Sequence, residues 1–419
     1  MSVTVPDETT VRLQRTGPLT GIRVLSLENY LAGNHTTFFL TLFGAEIIKV
    51  ERPGVGDALR GPESQSGHLD NKQQNKRSVA IDLQSKAGVD LFMSLVPEAD
   101  VVFSNMKVSS LHGYGITFES LIARKPDIVY TTLTGFGHGD VLPAGPSAGW
   151  PAFDVIAQGM SGMQFRCLGP DDDVPGYNGL PIGDDGTAIF AAFGTVLALR
   201  ARDETGKPQR VDVSMHDSMV YLNASTLNRW KTQQKEAGRG RSIGGSAPYG
   251  AYRTKDGWVN LAVWGERLWR RFCIALDRLD VVDDPRFDCA ANRLANLDAL
   301  NREMVTDFIA GRTTAEVLET LHGEGIPCAP IYTTQQVVES EQVAARRMFT
   351  KYHLRDGGMH ETIGSPIKLS SVDEDVPLAA PPLLGGDTRD VLASLLHLPG
   401  EEIEKLDAQG VIAIADNAR

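Results

Sequence analysis

Strands and helices alternate through the first third of this chain, and that alternation does most to narrow the folds open to it. Ile22 to Leu27 (IRVLSL) is short and alternating, as a strand requires. A turn carrying Gly33 follows, then an apolar helix from Thr36 to Phe43, a stop at Gly44, and a second strand from Glu46 to Glu51. Two strands joined by a helix within about thirty residues make a β-α-β unit, the building block of a parallel sheet. Val79–Leu83, Ala99–Ser104 and Ile128–Leu133 read as three more strands, with a helix around Gly88 to Val96. Strands and helices at this spacing predict an α/β fold with a doubly wound sheet.

The pattern changes near residue 225. Tyr249–Thr254, the turn Lys255-Asp256-Gly257 and Trp258–Val263 read as a hairpin, and helical segments follow at Arg267–Leu276, Leu297–Ala310 and Thr314–Glu324. A chain of 419 residues exceeds what one hydrophobic core serves. We therefore expect a large α/β domain in residues 1–225, a smaller α+β domain in 226–340, and a segment 341–419 that returns to the large domain. Asp387-Thr388 reads as the cap of a helix through Leu396, and Glu401–Gln409 as the last helix.

Several function classes are set aside by composition. A net charge of −12 opposes nucleic-acid or anionic-membrane partners. The longest mainly apolar run, Ala188 to Leu199, is shorter than the ~20 residues of a bilayer span. The N-terminus lacks the apolar centre of a signal peptide, and the four cysteines fall in neither a CxxC nor a disulfide pattern, so a cytoplasmic protein is expected. The first β-α turn reads Asn29-Tyr30-Leu31-Ala32-Gly33-Asn34-His35 rather than G-x-G-x-x-G, and no P-loop occurs, which leaves NAD and ATP without their phosphate cradles. The histidines show no metal-ligand spacing, so no metal is expected. Lys49, Arg52, Arg60, Lys72, Lys76 and Arg77 cluster near loop positions; each alone reads as a solvated surface charge, although Arg52 ends a strand where a phosphate can be met. Asp171-Asp172-Asp173 reads as a solvated acidic turn, and Cys328 as a packing thiol.

Gly183-Asp184-Asp185-Gly186 lies between a Gly/Pro-punctuated loop and an apolar helix expected from Thr187 to Arg200. Two readings stand at the level of the residues. The motif is a helix N-cap with an aspartate beside it, or it presents a carboxylate on open, Gly-flanked backbone. A carboxylate at its reference pKa of ~3.9 is ionised at neutral pH and attacks a carbonyl without a base to activate it.

Taken in order, the segments resemble the family III CoA-transferases, a superfamily that includes formyl-CoA transferases, carnitine CoA-transferases and α-methylacyl-CoA racemases. The likeness runs from Gly17 to Ile412. Its marks are Gly21–Leu25, Phe43–Pro53, Asn75–Leu83, Ala99–Val102, Phe153–Gly162, Gly183-Asp184, Gln209–Asp217, Gly325–Pro330 and Pro382–Gly385. The resemblance implies a Rossmann-like large domain, an interlocked homodimer, no permanently bound cofactor, and an acyl-CoA thioester and a carboxylic acid as substrates. It makes Asp184 the nucleophile, forming an aspartyl anhydride and then an aspartyl-CoA thioester. It places CoA contacts at Leu31, Ala32, Arg52, Ile81, Asp82, Leu83, Gln84, Asn105, Met106, Lys107, Phe153 and Asp154, and makes the Gly238–Gly245 loop a lid. Two alternatives accompany it: a 2-methylacyl-CoA racemase, and a catalytically silent CoA-binding protein of the same fold. The racemase branch keeps a histidine at the position of Phe153, and phenylalanine moves no proton.

Overall fold

A computed structural model of the protein describes residues 16–60, 72–143, 145–167, 174–177, 179–234, 246–355 and 357–415. The Gly238–Gly245 loop and Asp171-Asp172-Asp173 lie outside the described residues. Two compact units divide the chain: Met1–Gly162, Gly179–Asn223 and Arg346–Arg419 in the first, Met163–Asn178 and Ala224–Ala345 in the second.

The first unit is α/β, built on a mostly parallel sheet. Strands β1 (Arg23–Leu27), β2 (Glu46–Glu51), β3 (Arg77–Ile81), β4 (Val101–Ser104), β5 (Val129–Thr134) and β6 (Gln209–Ser214) are mutually parallel, each paired with its neighbours. Their order is β3-β2-β1-β4-β5-β6, so the chain works outward from β1 in one direction and then, from β4, in the other. Ligands of open α/β sheets bind where the order reverses, at the carboxyl ends of the strands. The short strand Ile412–Ala413 runs antiparallel beside β3 and completes the sheet. β1 to β5 are buried almost throughout, the mark of strands covered on both faces. Leu25, Ile48, Val79, Phe92 and Val102 belong to the core beneath them, which Val391 and Leu392 of the returning segment also enter.

β3 starts two residues before the expected strand, at Arg77. Polarity hid it: Arg77 pairs with Glu46 on β2, and the Ser78 hydroxyl donates to Glu51. The helix Tyr30–Thr41 likewise starts six residues early, at the first turn itself. Gly33 in that helix lies against the Asn105 side chain, where a Cβ would stand 2.7 Å from the amide carbon.

The longest helix, Ile182–Thr205, crosses behind β5 and β6 and packs against Tyr30–Thr41. Thr195 hydrogen-bonds Thr131 of β5 at 2.9 Å, and Arg202 pairs with Asp100 at 2.9 Å. Its length and composition match those of a membrane span, and equally those of a core helix. Here its buried residues, among them Ala188, Ala191 and Thr195, form the face toward the sheet.

The second unit holds an antiparallel sheet of three strands, β7 (Tyr249–Arg253), β8 (Trp258–Ala262) and β9 (Cys328–Pro330), with β7 and β8 forming the hairpin. Its own core gathers Trp269, Phe272, Phe287 and Ile309. Arg293 is fully buried in it, paired with Glu266 at 2.8 Å and lying over the Trp269 ring.

Candidate active site

A cleft of about 310 Å³ opens at the carboxyl ends of β1, β2 and β3, where the strand order reverses. Arg52, Ile81, Asp82, Leu83, Gln84 and Met106 line it, which brings together half of the expected CoA contacts. Arg52 is exposed, and its one hydrogen bond is a long one to Gln84 at 3.4 Å, leaving guanidinium donors to meet an anion.

The floor of the cleft is ionic, against the expectation of solvated surface charges. Lys49 and Lys76 are buried, with Glu28 and Asp57 as their counter-ions. The Lys49 ammonium donates to Asp57, to Asn34 at 2.7 Å and to Gln73 at 3.0 Å; Lys76 donates to Glu28 at 2.7 Å and to the Asn34 carbonyl at 3.0 Å. Lys72 is buried too, its ammonium over the Phe38 ring. Lys49 and Lys76 leave solvent because the Asp57 and Glu28 carboxylates meet them there, a pairing that local sequence cannot show. Burial brings Lys76 down to about 8, with Glu28 opposing the shift. Burial works the other way on Asp57, but the Lys49 charge and the Leu59 amide overcome it and hold the carboxyl below its usual range.

The remaining expected contacts stand elsewhere. Ala32 is buried within Tyr30–Thr41, next to Leu31, and Lys107 is exposed at the start of a short helix. Asn105 turns both ends of its amide to the Asn29 backbone, accepting at 2.8 Å and donating at 2.7 Å, so it shapes the first turn. Phe153 and Asp154 open the helix Asp154–Met160. Tyr30, held at a positive φ of 57°, links the two regions: its amide reaches Asp57 at 3.3 Å and its ring meets Phe153 edge-on at 5.6 Å. No local sequence signal marks Tyr30 for that role.

Asp184 and Asp185 lie inside the first turn of Ile182–Thr205, not on open backbone ahead of it. The helix starts five residues earlier than expected because its cap comes from far upstream. Pro181 supplies no side-chain cap; instead the Asp154 carboxylate accepts from the Gly183 amide at 2.6 Å and the Asp184 amide at 3.3 Å. Gly183 is needed there, since a Cβ would stand 2.7 Å from the Asp154 carboxylate oxygen. Asp185 accepts from or donates to nothing nearer than His35, whose Nδ1 lies 2.7 Å from its Oδ1. Asp184 alone has no hydrogen-bond partner for its carboxylate among the described residues.

That isolation changes its chemistry. Burial, then the charges of Asp154 and Asp185, push the Asp184 carboxyl up to about 7. The group is therefore harder to ionise at neutral pH than an ordinary carboxyl. An anion that is poorly solvated and unpaired is a stronger nucleophile than one tied up in hydrogen bonds. Beside Asp185 an apolar hollow of about 380 Å³ is lined by Leu180, Ile182, Ile189, Phe190 and Leu222.

The family model for CoA-transferase family III matches residues 19–388. The chain belongs to CoA-transferase family III. It is 33% identical to succinyl-CoA:mesaconate CoA-transferase of Haloarcula hispanica over 84% of this chain and 90% of that enzyme. It is 31% identical to formyl-CoA:oxalate CoA-transferase of Streptomyces avermitilis over 95% of this chain and all of that enzyme. Among solved structures, a CAIB/BAIF family protein from Brucella suis superposes with a TM-score of 0.75 at 29% identity, covering 90% of this chain and 99% of its own. Family III CoA-transferases act on CoA thioesters.

Proposed function

We propose that this protein transfers CoA from an acyl-CoA donor to a carboxylic acid, with Asp184 as the covalent carrier. The Asp184 carboxylate attacks the thioester carbonyl, the C–S bond breaks, and CoA leaves as the thiolate from a mixed anhydride. The thiolate then attacks the Asp184 carbonyl, releasing the donor's acid and leaving an aspartyl-CoA thioester. The acceptor carboxylate attacks that thioester to form a second anhydride. Returning thiolate attacks the acceptor's acyl carbon, which frees Asp184 and closes the cycle. Each step exchanges one acyl bond for another, so no oxidant or external energy source is needed.

One observation carries this reading: of the three aspartates at the head of the long helix, Asp184 is the one whose carboxylate has no hydrogen-bond partner among the described residues. In this scheme the switch-point cleft holds the nucleotide end of CoA, with Arg52 at a phosphate, while Leu31, Ala32, Phe153 and Tyr30 line the way toward Asp184. The apolar hollow takes acyl carbons. Relatives named for mesaconate and oxalate acceptors favour a small carboxylic acid as acceptor. The reading includes a homodimer, supported by the exposed stripe Ile189, Phe193, Val196 and Leu197 along the long helix, an apolar face suited to a second copy.

The test is peptide mass spectrometry after incubation with succinyl-CoA, formyl-CoA and acetyl-CoA in turn. We expect a CoA adduct on the peptide carrying Asp184, absent from Asp184→Asn, and a loss of turnover in that variant of at least about 10⁴-fold. An Asp184→Asn protein that still turns over, or the lack of an adduct with every donor, overturns the assignment.

A further inference from the structure

His35 has no place in the scheme so far, yet it reaches the head of the long helix from Tyr30–Thr41. Its ring stacks on Phe39 at 4.7 Å with the planes 11° apart, one helical turn away, and its Nδ1 lies 2.7 Å from Asp185 Oδ1. Stacking and hydrogen bond together fix the ring, which is mostly buried, whereas the Asp185 carboxylate is 42% exposed. Asp185 is the immediate neighbour of Asp184 in the same turn.

We propose that His35 is a positioning residue for Asp184: by holding the Asp185 carboxylate in a hydrogen bond, it restrains that charge from crowding the reacting one. The inference rests on the reading of Asp184 as the nucleophile and adds the residue that sets its environment. The charged groups that face this turn can be named from each packed element. Asp154 caps it, Asp185 lies in it, and His35 reaches it from Tyr30–Thr41. On the helix Met215–Leu222, His216 and Asp217 face each other at 3.5 Å; on β6, Arg210 engages Asp140 and Asp212 accepts from the His138 amide. Among the described residues, His35 is the side chain that meets the Asp185 carboxylate. A free Asp185 carboxylate swings within reach of Asp184 and disfavours its ionisation, as paired carboxylates do.

The experiment follows aspartate carboxyl carbons by ¹³C NMR in full-length protein across pH 4 to 9, with the Asp184 signal identified by its loss in Asp184→Asn. His35→Phe keeps the stack on Phe39 and removes the hydrogen bond; it should raise the Asp184 midpoint by about one pH unit. His35→Asn, whose amide can stand where Nδ1 does, should restore it. Asp185→Asn should lower the midpoint by a similar amount, and His35→Phe added to it should then change nothing. A purely structural His35 predicts otherwise: lower melting temperature, unchanged midpoint. The inference falls if His35→Phe leaves the midpoint in place, or shifts it equally with and without Asp185. Because this readout needs no substrate, it is separate from the adduct assay: an absent CoA adduct sinks the catalytic reading, an unmoved midpoint sinks the role of His35.

Discussion

The ionic floor of the cleft and the head of the long helix both put charge out of reach of water, and they do so in opposite ways. Beneath the cleft, Lys49, Lys76, Glu28 and Asp57 are fully withdrawn from solvent, each answered by an opposite charge and by neutral donors or acceptors such as Asn34 and Gln73. At the helix head, Asp184 is half-buried with two like charges nearby and no partner of its own among the described residues. A charge that is matched on every side holds parts of the fold in place. A charge left unmatched is costly to keep and ready to react. The difference lies within one compact unit of the chain.

Breaking the matched side should cost the most stability. Lys49→Met leaves Asp57 buried without its main counter-ion and the Asn34 side-chain oxygen without its nearer donor, and we expect about 3–5 kcal/mol lost in urea unfolding. A loss under about 1 kcal/mol would mean that the floor is not the rigid base described here.

Relieving the unmatched side should do the reverse. The folded state raises the Asp184 carboxyl from its ordinary 3.8 to about 7, so between those values the folded chain holds a proton that the unfolded chain has lost. Stability from this group is fully present below pH 4 and is lost as pH rises through 7. Asp184→Asn should thus be the more stable protein at pH 8, by on the order of 2–4 kcal/mol, with the gain vanishing near pH 4. Equal stability of both proteins at pH 8 would show that Asp184 ionises without cost. The same titration gives turnover an acidic limb near pH 7 in the native protein.

The smallest effect tests the rim. Arg52→Ala removes an exposed cation that makes one weak internal contact, so it should leave folding unchanged and raise KM for the CoA donor several-fold, about 1 kcal/mol. A change in kcat with KM unmoved would place Arg52 outside CoA binding.

What the sequence made legible follows from the range of the interactions involved. β1, β2 and β5 could be read because their apolar residues carry the signal themselves. Arg77 and Ser78 of β3 could not, since their polar side chains answer Glu46 and Glu51 on another strand. The start of the long helix was misplaced for the same reason: its cap, Asp154, comes from a different helix. Asp184 is singled out by the ordered family motifs as the expected nucleophile, while its raised proton affinity, its neighbour His35 and the Tyr30–Phe153 bridge exist only once separate helices meet. Half of the expected CoA contacts fell on one cleft because they come from strand ends, whose position the fold class fixes in advance.

The two-residue strand Ile412–Ala413 bears on how the chain comes to be folded. Six strands of the sheet are present by Ser214, but the outer edge of β3 is met only by the returning segment, first by Asp387 and Thr388 against Ser78 and Ala80 and then by Ile412 against Ile81. During synthesis that edge, Arg77–Ile81, waits through the whole of the second unit, with unpaired amides and carbonyls available to any other extended chain. Residues far along the chain therefore close the edge of a sheet begun at its start, and losing Asp387, Thr388 and Ile412–Ala413 together would leave that edge open to misassembly.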